Sequence, residues 1–134
     1  MEISGQQILI ISLILYTIIV TCGFMKLLLS DKTLLTLSIV TLIIAVFGLL
    51  IRSEQTQMVN GNGATFLIAP FIYTISYLLL RKLYKFKYKI EPTYNRRSWY
   101  DSEDNRNQNL LDVTVHILPM LLGFIIPLTY DKCF

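Results

Sequence analysis

Polar and apolar positions segregate along this chain into four uncharged apolar runs: Ile3 to Met25, Thr33 to Ile51, Gln55 to Leu80 with its apolar part from Ala64, and Val113 to Tyr130. Each approaches the ~20 residues an α-helix needs to cross a hydrocarbon core of about 30 Å. The pattern predicts an all-α membrane protein, a compact four-helix transmembrane bundle with short loops and one longer polar cytoplasmic loop. The spans are placed near 5–27, 33–51, 64–82 and 111–130 and the loop at 83–109, all in one integral membrane domain over 1–134. Four buried helices of a soluble core would leave too little polar chain to cover them.

Within the runs, small and hydroxyl residues recur at helical spacing. In lipid, apolar side chains gain little by leaving the bilayer for one another, so such stripes mark helix–helix contacts. On the second run Ser38, Thr41, Ala45 and Gly48 form one stripe. Ser12, Tyr16 and Gly23 share a face of the first, Ala69, Tyr73 and Ser76 of the third, and Asp112, His116, Met120, Gly123 and Pro127 of the fourth. Kinks are expected near Pro70 and Pro119. The short connection Lys26 to Lys32 predicts an antiparallel hairpin of the first two helices, with Ser30 or Asp31 capping the second. Asn60-Gly61-Asn62-Gly63 reads as a tight turn, because Gly and Asn tolerate positive φ. Without a Lys or nucleotide-loop spacing, it is not read as a phosphate cradle.

Charge changes the picture by giving the runs a direction. Lys26, Lys32, Arg81, Lys82, Lys85, Lys87, Lys89, Arg96, Arg97 and Arg106 fall in the first and third connections, leaving only Arg52 and Lys132 on the other side. Basic residues near span ends stay cytoplasmic, so both termini are expected outside a cell (inner or plasma) membrane. The start, Met1-Glu2-Ile3-Ser4, carries an acid and no base, unlike a secretory leader. Ile19 to Gly23 echoes a lipoprotein cleavage box, but Thr21 before Cys22 and the missing basic region oppose that reading. Cys22 and Cys133 support no disulfide framework.

Candidate chemistry is sparse. Asp112 and His116 are four apart on one helix face and could form an intramembrane pair that passes a proton; the plainer reading, preferred here, has Asp112 capping the helix and His116 reaching water in the headgroup zone. One His and one Asp make a poor zinc site, and no cofactor is expected. The stretch Arg81, Lys82, Lys85, Lys87 and Lys89, interleaved with aromatics, could be extended, with its aromatics and lysines on opposite faces, or helical, with Lys82, Lys85 and Lys89 along one side. Pro92 ends either form. Abutting a span, it suits anionic lipid head groups and topology rather than nucleic acid. Arg96, Arg97, Trp99 and Tyr100 could contact a partner protein, Arg and aromatics being enriched at binding hot spots, or Trp99 could re-enter the membrane interface.

These readings lead to a non-catalytic anchor or assembly subunit, in contact with the lipid bilayer and with a protein partner or a second copy of itself. The spans lack the paired charges of pumps, and the polar regions are too short for a catalytic domain. A different class is also open: a homo-oligomeric channel or membrane-permeabilising effector, lined by Ser38, Thr41 and Ala45 or by the face of Asp112 and His116. An intramembrane enzyme centred on His116 is a third.

Overall fold

A computed structural model describes residues 4–24, 28, 30–92 and 109–133. Its helices are α1 Gly5–Phe24, α2 Asp31–Leu50, α3 Ala69–Tyr88 and α4 Leu110–Cys133. Between α2 and α3 lie a 3-10 turn, Glu54–Thr56, a two-stranded hairpin and a 3-10 segment, Gly63–Ile68. The hairpin pairs β1 (Gln57–Met58) antiparallel with β2 (Gly61–Asn62), with Gln57 opposite Asn62 and Met58 opposite Gly61. The tight turn falls at Val59 and Asn60, ahead of the one expected at Asn60 to Gly63, because Gly61 and Asn62 are taken up in β2 and Gly63 opens the 3-10 segment. Gly61 enters β2 at φ 129°, a conformation glycine adopts without steric cost. Among the described residues, four helical segments are long and apolar enough to cross a membrane: Gly5–Phe24, Asp31–Leu50, Gly63–Tyr88 and Leu110–Tyr130. At about 1.5 Å per residue, the 20 residues of α1 and of α2 each match the ~30 Å of hydrocarbon.

The helix ends follow local chemistry. Ser4 and Gln7 form a reciprocal capping box, the Ser4 N–H donating to Gln7 Oε1 (3.0 Å) and the Gln7 N–H to Ser4 Oγ (3.4 Å). The expected cap of α2 does not form. Ser30 occupies the N-cap position without a side-chain bond, and Asp31 pairs with Arg81 instead. The Asn62 side chain accepts the Ala64 N–H (3.0 Å) and so starts the 3-10 segment. Pro70 then falls in the first turn of α3, where its missing N–H has no helical partner to lose. The kink expected there is therefore a junction between 3-10 and α geometry. At its other end α3 runs to Tyr88, beyond the boundary expected at 82, so the basic stretch is helical as far as Tyr88. Lys89 stops the helix in the left-handed conformation (φ 59°), its N–H donating to Lys85 O at 2.9 Å.

The four helices are not equivalent. In Gly63–Tyr88 67% of the residues of the most apolar window are buried, against 33%, 28% and 33% in the other three, which makes α3 the hub. The stripes expected on α1, α2 and α4 face it or the 3-10 segment before it. Thr41 and Thr74 join their hydroxyls across α2 and α3 (3.0 Å), and Tyr16 meets Tyr73 edge-on with ring centroids 6.1 Å apart. The Tyr16 hydroxyl donates to Met120 O on α4, and the Tyr16 ring packs over Gly123, where a Cβ would meet it at 2.8 Å. α1 and α2, expected to form an antiparallel hairpin, line a common groove but make little direct contact with each other, and each packs on the Gly63–Ile68 segment and α3. The branched apolar side chains on their facing sides gain nothing by leaving lipid, whereas their small and polar positions do.

Candidate functional site

Two groups of polar side chains lie at the end of the molecule that carries the α1–α2 and α3–α4 connections. The first centres on Arg81. α3 presents this residue on the same face as Tyr73, Tyr77 and Tyr84, so its side chain is carried inward and only 2% is exposed. Its Nε and Nη2 donate to the Glu91 carboxylate at 2.9 and 2.8 Å, a two-pronged contact, and its Nη1 donates to Asp31 Oδ1. Lys85 Nζ, one turn further on, lies 2.8 Å from Glu91 Oε1. The left-handed cap at Lys89 turns the chain back and lets Glu91 reach both bases. Burial pushes the Glu91 carboxyl upward in pKa, but the hydrogen bonds and charges of Arg81 and Lys85 outweigh it and hold the group below the usual carboxylate range.

Arg81, expected to face lipid head groups or a partner, is thus committed inside the protein: a guanidinium carried toward a packed interior needs carboxylates, and α2 and the segment after α3 supply them. Lys82, Lys87 and Lys89 are exposed, with Lys87 Nζ 5.3 Å from the centre of the Tyr88 ring, and Lys85 is half-buried in its ion pair. Arg96, Arg97, Trp99 and Tyr100 lie outside the described residues.

The second group is Asp112 and His116. Asp112 is fully buried, and its Oδ2 accepts the Asn109 N–H at 2.9 Å at the start of α4. His116 does not reach water. It is 4% exposed, set between Phe24 (centroids 5.9 Å apart) and Tyr77 (5.5 Å). Its Nδ1 lies 2.8 Å from the Asp112 carbonyl oxygen. A carbonyl only accepts, so Nδ1 carries the proton in this bond. α1 and α3 close over this face of α4, which explains why depth along the helix misjudged its contact with water. Tyr73 and Tyr77, also fully buried, stack at 6.0 Å with hydroxyls that have no hydrogen-bond partner among the described residues.

The α2 stripe is used up in packing. Ser38 Oγ donates to Leu34 O (2.8 Å), Thr41 Oγ1 approaches Leu37 O (2.9 Å) as well as Thr74, Ala45 is 4% exposed, and a Cβ on Gly48 would meet Leu67 Cβ at 2.7 Å and Ala64 O at 2.8 Å. Among the described residues no three His, Cys, Asp or Glu side chains converge as a metal site would require. Sequence reasoning missed Asp31 and Glu91 as partners of Arg81. An acid just before Pro92, following a basic helix end, was a usable local signal for Glu91; Asp31, 50 residues from Arg81, offered none. No protein-family model, no curated protein and no solved structure matches this chain.

Proposed function

We propose that this chain is a non-catalytic anchor or assembly subunit of a complex in the cell (inner or plasma) membrane, with both termini extracytoplasmic and the connection after Tyr88 offered to a protein partner. One observation carries the reading: both polar faces that could line a pore are consumed within a single protomer. Ser38, Thr41 and Ala45 lie against α3 and the 3-10 segment, and Asp112 and His116 lie under α1 and α3. What remains outside on α1, α2 and α4 is mainly apolar, including Ile11, Ile18, Ile43, Phe47 and Phe124, all more than 45% exposed, and the exposed Thr17, Thr21 and Thr129 donate their hydroxyls to carbonyls of their own helix. Such a surface suits lipid and holds a scaffold in place; it offers no path for ions.

The test combines liposome ion flux with site-specific photo-cross-linking in cells from position 99, Trp99 being replaced by a photoreactive phenylalanine. An anchor gives no flux above empty liposomes and a discrete cross-linked adduct that Arg96→Ala with Arg97→Ala removes. Flux that Thr41→Trp blocks would replace this reading by the channel. Orientation is checked on Cys133, which should react with an impermeant maleimide only from outside the cell.

A further inference from the structure

Because α1 and α2 both turn to α3, a groove of about 620 Å³ opens between them in the half of the molecule nearest their connection. Its walls are mainly branched and apolar, with Ile18, Cys22 and Leu28 on one side and Thr36 and Val40 on the other, and Lys32 stands at its end. We propose that this groove holds an anionic phospholipid of the leaflet on the connection side, one acyl chain lying between α1 and α2 and the phosphate on Lys32 Nζ.

Three features select this occupant. From Lys32 to Val40 the helix rises eight residue steps, about 12 Å, which is less than half of a ~30 Å hydrocarbon core, so the groove belongs to one leaflet. Charge is complementary at the mouth: Asp31, which would otherwise neutralise its neighbour and repel a phosphate, is drawn to Arg81, and no ion pair among the described residues engages Lys32. The walls also disfavour a transmembrane helix from a partner or a second copy. Close helix packing needs small residues, and the small stripe of α2, Ser38 to Gly48, faces the other way. A flexible acyl chain conforms to Ile, Leu and Val walls without such a stripe.

The volume lies in the range of ligand sites, about 300–1,000 Å³. The site places a lipid contact at the start of α2, separate from the exposed Lys82, Lys87 and Lys89 at the α3 terminus. It depends on the chain spanning a bilayer and is independent of the anchor role, since a lipid site and a partner surface fail in different assays.

The protein is reconstituted in phosphatidylcholine bilayers with and without phosphatidylglycerol, released into mild detergent, and its retained lipid counted by native mass spectrometry. Wild type should keep phosphatidylglycerol in preference to phosphatidylcholine. Lys32→Gln should reduce that preference about fivefold, the size of one lysine's attraction to an anionic lipid. Thr36→Trp, which fills the groove from an exposed position, should remove retention of both lipids. Arg52→Gln, which removes the same charge at the opposite end, should change nothing. A second readout needs no groove-filling variant: with Cys133→Ser, alkylation of Cys22 by N-ethylmaleimide should slow when phosphatidylglycerol is added, and Lys32→Gln should abolish the slowing. Equal losses in Lys32→Gln and Arg52→Gln, no lipid preference in wild type, or a wild-type dimer that Thr36→Trp splits into monomers would each overturn the proposal.

Discussion

The two ends of this molecule are held together by different physics. At the end carrying the α1–α2 and α3–α4 connections the contacts are ionic: Arg81 gathers Asp31 from α2 and Glu91 from beyond α3, with Lys85 joining at Glu91. At the opposite end backbone lies on backbone. A Cβ on Gly63 would run into the Gly5 carbonyl and one on Gly5 into the Thr56 carbonyl, while Arg52 stands over the Tyr130 ring with its guanidinium 5.4 Å from the ring centre. Charged contacts tolerate small shifts and respond to salt and pH, whereas close backbone approach tolerates no added atom and ignores both. The difference teaches where this fold is adjustable: at the connection end.

The largest expected effect breaks the rigid end. Gly63→Ala forces a methyl group into the Gly5 backbone, which has no side chain to swing aside, and should cost about 3 kcal/mol, read as the shift in unfolding by sodium dodecyl sulfate in mixed micelles. A wild-type midpoint would show that α1 can slide along the 3-10 segment. Next, Asp31→Asn with Glu91→Gln strips two carboxylates from the buried guanidinium. The loss should be about 2 kcal/mol, below that of a fully buried pair, because both carboxylates are partly in water. Thr74→Val, which removes the hydroxyl contact with Thr41 midway between the ends, should cost about 0.6 kcal/mol, typical of a hydrogen bond between membrane helices.

The smallest effect concerns pH. Glu91 is held below its ordinary value of 4.5, so its contribution is complete above that value and is lost as pH falls through the lower folded-state value. Thermal unfolding should therefore lose more on acidification in wild type than in Glu91→Gln, and high salt should weaken the same contribution while leaving the cost of Gly63→Ala unchanged.

Much of the architecture was legible in the residues. The four apolar runs and the inward stripe Ser38 to Gly48 could be read because each depends on near neighbours and on one generic solvent, whereas the turn expected at Asn60 to Gly63 lies at Val59 and Asn60, where strand pairing sets its register. The candidate site was less legible. Arg81 looked like one more cytoplasmic base among Lys82, Lys85, Lys87 and Lys89, and His116 looked shallow enough for water. Both errors share a cause: depth along a helix can be counted in sequence, but which side of it a neighbouring helix will cover cannot.

By itself, the sequence determined the class of the molecule, since the length and apolarity of four segments dictate helices able to cross a membrane whatever their arrangement. Only the tertiary structure decided that α3 is the hub, that α1 and α2 part to leave a groove, and that Asp31, 50 residues away, is the partner of Arg81. Spans form from local backbone hydrogen bonding and transfer to lipid, but helices in lipid have no hydrophobic force to order them. Their neighbours are chosen by side-chain fit and paired polar groups, which exist only once distant segments have met.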